Sequence, residues 1–411
     1  MWDRLLSLFL RRFIKQGVLI AIYPDGRSER YGKKSARPVT VRFQSRSLLR
    51  RLLANPDLAL GEAYMDGSLT VENDDLYGLI ELLMSNQMRQ PNFGHHPWLG
   101  RFRRMGRGLA QFNPMHRSRR NVAHHYDLSG ELYDLFLDTD RQYSCAYFRH
   151  LDDNLEAAQQ HKKALIATKL RLAPGQRVLD IGSGWGGLGL YLAREHGVRV
   201  TGVTLSREQH KVSEARARAE KLDDHIRFRL KDYREVEGVF DRIVSVGMFE
   251  HVGVPHYREF FTTLGDRLAD DGVALLHTIG RADGPGATNP WIAKYIFPGG
   301  YSPALSEVVA VIERSGFYVT DVEVMRLHYA ETLRAWRQRF ETNLERVRTI
   351  YDDRFCRMWR FYLVASELAF RLGDHVVFQI QLAKHQDAVP LTRDYLFGYE
   401  PLGELATTNA A

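Results

Sequence analysis

The chain has 411 residues, of which 44% are hydrophobic and 26% are charged, so it is long enough for two or three globular domains and is not intrinsically disordered. Its two cysteines, Cys145 and Cys356, exclude a disulfide framework and suit a reducing compartment. No apolar run approaches the roughly 18 residues that span a bilayer, and Arg11, Arg12 and Lys15 interrupt the apolar core that a signal peptide would need. We therefore expect a cytoplasmic protein that neither spans a membrane nor is exported.

The net charge of +7 is concentrated in the N-terminal part of the chain. Residues 1–120 contain 21 Lys and Arg against 10 Asp and Glu, whereas the remaining residues contain 36 against 40. Residues 1–20 place apolar side chains at spacings of three and four between basic residues, which predicts an amphipathic helix. Such a helix either lies on a membrane surface or packs on its own domain, and packing is the commoner outcome.

Short alternating segments follow this helix at residues 18–23 and 39–43 and predict strands. Residues 1–85 should therefore form a small α+β domain, which faces lipid or a second copy of the chain. Residues 86–120 form a basic linker in which arginines and aromatic residues alternate without any acidic residue. Such a segment can bind the phosphates of nucleic acid or of anionic lipid, or can be a solvated connector.

Residues 121–411 are predicted to form a catalytic domain in which strands and helices alternate. A helix is expected over residues 155–172. Strands are expected at residues 177–181, 198–203, 226–231, 242–246, 273–279, 318–325 and 376–381. This order predicts an α/β fold with a doubly wound, mostly parallel sheet. We expect the substrate pocket in two insertions, residues 290–300 and a long helical stretch over residues 331–371.

A glycine-rich turn follows the first of these strands. Asp180 precedes three alternate glycines, Gly182, Gly184 and Gly186, which let the backbone approach a nucleotide or an amino acid closely. The alternative is a tight turn that binds nothing. A nicotinamide-binding fold requires an acidic residue about 20 residues later, but the second strand runs into Thr204-Leu205-Ser206. The pattern resembles instead the first motif of the S-adenosylmethionine-dependent methyltransferases.

Seven motifs occur in order along the chain. They are Tyr143-Ser144-Cys145-Ala146-Tyr147-Phe148, residues 179–187, Thr204-Leu205-Ser206 with Gln209, Phe249-Glu250-His251-Val252-Gly253, His277-Thr278-Ile279-Gly280, residues 295–300 and Arg354-Phe355-Cys356-Arg357-Met358-Trp359. Together they resemble the cyclopropane-fatty-acyl-phospholipid synthases and the related mycolic acid cyclopropane synthases. Residues 60–69 also resemble the extra domain of the bacterial phospholipid-acting members. One departure is Ser183, where the family usually has Cys; because the loop works mainly through its backbone, we expect no effect on cofactor binding.

The resemblance implies a Rossmann-like class I methyltransferase sheet. It also implies transfer of the methyl group of S-adenosylmethionine to the cis double bond of unsaturated acyl chains in membrane phospholipids, followed by proton loss and ring closure. In the family the base is a bound bicarbonate. The carried-over ligands are a carboxylate, an imidazole, a phenol and two backbone groups, those of Glu250, His277, Tyr329, Cys145 and Ile279. Taken alone, Glu250 would be a helix-starting acid and His277 a core histidine.

Cys356 lies in a family motif and is a candidate for the same pocket, where packing is favoured over a catalytic thiol. The residues carried over as cofactor contacts are Tyr143, Ser144, Asp180, Gly182, Gly184, Gly186, Thr204, Leu205, Gln209, Asp232 and Tyr233. Of these, Asp232 and Tyr233 are expected beside the adenine. No metal site is expected.

Two alternatives concern the reaction itself. A sister reaction on the same scaffold quenches the carbocation as a methylene group or, after reduction, as a methyl branch, and the sequence does not separate these products. A nucleic-acid methyltransferase would need an amine-activating Asn-Pro-Pro-aromatic motif after the fourth strand, where Gly247-Met248-Phe249-Glu250-His251 stands instead. The expected partner is therefore unsaturated phospholipid at the inner face of the membrane and not nucleic acid. Whether the protein forms a homodimer stays open.

Overall fold

The computed structural model describes residues 1–33, 37–90, 130–150 and 152–398. Most of the predicted basic linker and the start of the predicted catalytic domain lie outside these ranges. The N-terminal part contains a four-stranded sheet of order β2-β1-β3-β4, in which only β1 and β3 are parallel. Its strands are β1 (Val18–Ile22), β2 (Ser28–Gly32), β3 (Pro38–Phe43) and β4 (Leu69–Val71). Its helices are α1 (Trp2–Phe13), α2 (Arg46–Ala54), α3 (Pro56–Met65) and α4 (Leu76–Arg89).

Helix α1 is amphipathic, and its apolar face packs on the N-terminal sheet. Leu6, Leu10 and Phe13 are buried in one cluster with side chains of β1 and β3. On the opposite face of α1, Leu5 is 45% exposed and Leu8 is 50% exposed. Within the described ranges, no helix is long and apolar enough to cross a bilayer.

The second sheet has seven strands in the order β10-β11-β9-β8-β5-β6-β7. The strands are β5 (Arg177–Ile181), β6 (Arg199–Thr204), β7 (Ile226–Leu230), β8 (Phe240–Val246), β9 (Leu268–Arg281), β10 (Tyr318–Met325) and β11 (His375–Ala383). Strands β5 to β9 are parallel and β11 is antiparallel to both of its neighbours. The predicted doubly wound, mostly parallel sheet is therefore confirmed.

Ten further helices accompany this sheet in the described part of the chain. They are α5 (Gly130–Asp134), α6 (Leu155–Leu170), α7 (Gly187–His196), α8 (Arg207–Ala219), α9 (Tyr257–Arg267), α10 (Pro290–Tyr295), α11 (Leu305–Ile312), α12 (His328–Thr342), α13 (Leu344–Ile350) and α14 (Asp353–Arg371).

The long helical stretch predicted over residues 331–371 is confirmed, and it consists of three consecutive helices, α12 to α14. Asn343 leaves the helical path and its side chain donates to the carbonyl of Leu135 at 2.8 Å. The Asp352 carboxylate then caps α14 by accepting from the Phe355 N–H at 2.7 Å. The Asp352 carboxylate thus satisfies a backbone N–H in the first turn of α14 that has no partner inside this helix.

Strand β9 is longer at its carboxyl end than predicted. His277 was expected at the end of the strand, but β9 continues to Arg281 because β11 pairs beside it from Ala383 to His375. His277 therefore lies inside the sheet, directly opposite Gln379 of β11.

The N-terminal part contacts the second sheet's helices through α3. Gly61 approaches the ring of Trp291 in α10 so closely that an added Cβ would lie 2.4 Å from its Nε1. The Trp291 Nε1–H donates to the sulfur of Met65 at 3.2 Å. The Glu62 carboxylate accepts from Lys294 at 2.7 Å and from the Tyr295 hydroxyl at 2.9 Å. Gly61, Glu62 and Met65 lie in the segment 60–69 that resembles the family's extra domain. This segment therefore connects the N-terminal part of the protein to α10.

Candidate active site

A cavity opens where the carboxyl ends of β5, β6 and β8 meet residues 141–144. Its volume is about 1180 Å³, including the solvent at its mouth. Ten of the eleven residues predicted to contact the cofactor line it, namely Tyr143, Ser144, Asp180, Gly182, Gly184, Thr204, Leu205, Gln209, Asp232 and Tyr233. Carboxyl strand ends are where doubly wound sheets bind their ligands. The cavity is therefore the candidate cofactor site.

The glycine loop closes one side of this cavity. Gly182 has φ +84° and an added Cβ would meet Met248 at 2.8 Å, so both its conformation and its surroundings require glycine. Gly184 also has a positive φ, of +54°, and has open space beside it. Gly186 was predicted to contact the cofactor, but it is not among the described residues that line the cavity. An added Cβ there would meet Phe228 and Ser213 at 2.8 Å, so this glycine serves the close packing at the start of α7.

Two carboxylates, those of Asp180 and Asp232, line the cavity. Asp180 is buried, its Oδ2 has no hydrogen-bond partner among the described residues, and burial raises its pKa to about 7. Asp232 is held by Arg234 in a bidentate pair, with distances of 2.9 and 2.8 Å. Thr204, at the end of β6, donates to the side-chain oxygen of Gln209 at 2.8 Å. The polar groups around the cavity are thus largely preorganised by neighbouring side chains.

Three cavity residues have no role in the sequence-based prediction. Arg141 lies over the ring of Trp185, with 5.1 Å between its guanidinium carbon and the ring centroid, and both residues line the cavity. His251 lines it as well, and burial lowers the pKa of its imidazole to about 4, so the ring is neutral at neutral pH. Trp185 lies in the motif of residues 179–187, and His251 lies in the motif of residues 249–253. These two motifs were the sequence signal from which both residues could have been predicted to line the site.

Glu250, Ile279 and His277 form a buried group beside the cavity. The Ile279 N–H donates to Glu250 Oε1 at 2.5 Å, while Oε2 is buried without a hydrogen-bond partner in the described part of the chain. Burial raises the pKa of Glu250 to about 7 and lowers that of His277 to about 3, so the imidazole is neutral. Gly247, which lines the cavity, donates its N–H to the His277 carbonyl at 2.9 Å. This hydrogen bond joins the buried group to the cavity wall.

Tyr329, Cys145 and Cys356 lie in one apolar cluster that reaches the cavity at Tyr143. The cluster is rich in aromatic rings, including Tyr133, Phe136, Tyr143, Tyr329, Trp336, Trp359 and Tyr362. Burial raises the pKa of both thiols, which therefore stay protonated at neutral pH. The Tyr143 and Tyr362 hydroxyls are 2.8 Å apart, and the Tyr143 ring stacks on Trp336 with centroids 5.1 Å apart. None of the six predicted catalytic residues is among the described residues that line the cavity.

Comparisons with known proteins give matches for both parts of the chain. The family described as mycolic acid cyclopropane synthetase matches residues 114–380, and a domain of unknown function matches residues 6–92. The cyclopropane-fatty-acyl-phospholipid synthase of Escherichia coli K12 is 39% identical over 347 residues, covering 84% of this chain and 88% of its own. The tuberculostearic acid methyltransferase UfaA1 of Mycobacterium tuberculosis is 32% identical over 91% of this chain and 90% of its own.

A solved structure extends the comparison to three dimensions. The mycolic acid cyclopropane synthase CmaA1, in complex with SAH and CTAB, has a TM-score of 0.62 and 33% sequence identity. The match covers 66% of this chain and 99% of that one.

Proposed function

Because the chain belongs to the mycolic acid cyclopropane synthetase family and is an S-adenosylmethionine-dependent methyltransferase, we propose that it methylates cis double bonds in the acyl chains of membrane phospholipids and forms cyclopropane rings. The observation that carries this substrate is the 39% identity to the phospholipid-acting E. coli synthase over 84% of the chain. S-adenosylmethionine bound in the cavity would supply the methyl group: one alkene carbon would form a bond to that methyl as its bond to sulfur breaks, which leaves S-adenosylhomocysteine. The resulting carbocation loses a proton from that methyl group, and the ring closes.

The surroundings of Tyr143 suit this chemistry. An alkene is a weak nucleophile, so it must be held in line with the methyl donor and kept away from water. Tyr143 lines the cofactor cavity on one side and contacts the aromatic cluster on the other. Aromatic faces stabilise a cation without forming a bond to it. We therefore place the reacting double bond beside Tyr143, between the cavity and the cluster.

We propose that the buried group around Glu250 holds bicarbonate together with Tyr329 and the backbone of Cys145. Bicarbonate bound there would supply the proton acceptor. Glu250 Oε1 already accepts from Ile279, so a proton carried by Glu250 belongs on the unpartnered Oε2. With its pKa raised to about 7, Glu250 holds this proton in a substantial fraction of molecules at neutral pH. In this protonated state the Glu250 side chain is uncharged, so it can donate a hydrogen bond to an anion without charge repulsion.

The protein is expected to convert S-adenosylmethionine to S-adenosylhomocysteine only when dispersed unsaturated phospholipid is present. Phospholipid with saturated chains is the matched control, because it offers the same head group without the alkene. Product release is measured by chromatography, and upfield ring protons in the NMR spectrum of the lipid identify the cyclopropane. Turnover on nucleic acid or small amines, with none on unsaturated lipid, would contradict the proposal.

A second candidate is a methylene- or methyl-branching fatty-acyl methyltransferase. It is favoured by the 32% identity to a relative named for tuberculostearic acid, over 91% of this chain. Both reactions share the methyl transfer and differ in which proton the carbocation loses. The same NMR spectrum separates them, since an exocyclic methylene gives olefinic signals and a ring gives upfield ones.

We further propose that α1 binds the inner face of an anionic membrane. Its outward face carries Leu5 and Leu8 together with the exposed Arg4 and Arg12, which is the composition of an interfacial helix. Each basic residue near such a surface contributes on the order of 1 kcal/mol, within about a Debye length. Binding should therefore be reversible and weaken with salt.

The double variant Leu5→Gln/Leu8→Gln is expected to lower association with anionic phospholipid vesicles roughly tenfold, because it removes two apolar side chains from the contact. Leu391→Gln is the matched control, since Leu391 is 85% exposed elsewhere on the chain. Co-sedimentation over a salt series measures both. Equal sedimentation of the double variant and the control at every salt concentration would assign this face another role, such as contact between subunits in a homodimer.

A further inference from the structure

Helix α6 presents a buried polar face to the segment that carries Tyr143 and Ser144. Lys162 and Lys163 follow Gln159 by three and four residues, and all three residues are at most 1% exposed. Gln159 donates to the carbonyls of Gln142 and Ser144 at 3.3 and 3.0 Å. One helix face therefore holds the wall of the cofactor cavity from behind.

Lys162 is the unusual member of this face. It is completely buried, and its ammonium donates to two neutral acceptors, Gln142 Oε1 at 2.6 Å and Ser144 Oγ at 2.8 Å. Burial lowers its pKa to about 8, while the charge of Asp138 opposes this effect, so the ammonium is charged at neutral pH. Burying a cation without a direct carboxylate contact is costly. An apolar side chain would fill the same space without this cost, so packing alone does not account for a lysine here.

The hydrogen-bond chemistry of lysine constrains Ser144. An ammonium has three donors and no acceptor, so Ser144 Oγ must accept from it. The hydroxyl proton of Ser144 must then point away from Lys162, and the described part of the chain gives that proton no other acceptor. Ser144 and Gln142 both line the cavity. The arrangement leaves one hydroxyl donor and a buried positive charge on the same side of the cofactor cavity.

Building on the cofactor site proposed above, we propose that Lys162 is a positioning residue that turns Ser144 into a hydrogen-bond donor for the carboxylate of the cofactor's amino-acid part. The ammonium adds a positive potential that favours the same negative group. Binding of the adenosine part of the cofactor should depend neither on the Ser144 hydroxyl nor on the charge of Lys162.

Two ligands that differ in the amino-acid part, which carries this carboxylate, test the proposal by calorimetric binding. S-adenosylhomocysteine has the whole amino-acid part, and 5′-methylthioadenosine keeps the adenosine and the thioether but has a methyl group in its place. In Lys162→Met the affinity for S-adenosylhomocysteine should fall about tenfold or more, while that for 5′-methylthioadenosine stays within about twofold. Ser144→Ala should show the same selective loss, and the double variant should be little worse than either single one.

Lys163→Met is the matched control, because Lys163 is equally buried on the same helix but pairs with Asp140. It should leave the ratio of the two affinities unchanged. Lys162→Arg keeps the positive charge, so its ratio of the two affinities should stay close to that of the unmodified protein. An equal loss for both ligands in Lys162→Met would overturn the proposal. An unchanged ratio in Ser144→Ala would also overturn it, and this second test stands even if Lys162→Met does not fold. If the unmodified protein bound neither ligand, the cofactor assignment itself would fail.

Discussion

Replacing Glu250 with alanine is expected to lower the rate of lipid methylation about 100-fold or more, while S-adenosylmethionine affinity stays within about twofold. The carboxyl group accepts the Ile279 N–H and leaves Oε2 for a bound anion, so its loss removes the support of the proposed base and none of the cavity lining. The rate is measured as S-adenosylhomocysteine release on unsaturated vesicles, and the affinity by calorimetry.

Glu250→Gln is the conservative control for this prediction. The glutamine oxygen can still accept from Ile279, and its amide can donate from the position of Oε2, so this variant should retain more activity than Glu250→Ala. Both variants should need more added bicarbonate to reach half of their maximal rate in carbonate-depleted buffer. A nearly normal rate in Glu250→Ala, or weaker cofactor binding as its main defect, would contradict the role proposed for this residue.

Trp291→Ala is expected to lower the free energy of unfolding by about 3–5 kcal/mol, the usual cost of emptying a buried aromatic site. Its indole is 1% exposed, lies 4.7 Å from the Phe361 ring between centroids, and donates to Met65 across the contact between α3 and α10. Gly61→Ala should destabilise the same contact by overpacking, at about 1–3 kcal/mol. Denaturant unfolding measures both variants.

Tyr318→Ala is the control for Trp291→Ala, because Tyr318 is 46% exposed and its loss should change stability by no more than about 0.5 kcal/mol. If Trp291→Ala were as stable as Tyr318→Ala, the contact between α3 and α10 would not hold the two parts of the protein together. An unfolding transition that splits into two in Trp291→Ala would instead support a junction that couples them.

The strands of the second sheet could be predicted closely from sequence. Parallel strands buried on both faces form short apolar runs between turn residues, and all seven predicted segments overlap β5 to β11. Helix boundaries were harder where side chains decide them. The break at Asn343 depends on a hydrogen bond to Leu135, about two hundred residues away in sequence, and no local pattern announces it.

The sequence by itself determined the cofactor loop, because glycine spacing and an adjoining apolar strand are local properties with few structural solutions. It also determined the motifs that resemble the family, since these are read residue by residue. The tertiary structure alone decided what lies behind the cavity wall. Lys162 stands in the run Gln159-Gln160-His161-Lys162-Lys163, which looks like a solvated helix face, yet Lys162 is buried against Ser144. Burial depends on what packs over a helix, and here the covering segment, residues 138–144, takes its position from contacts that the helical pattern does not encode.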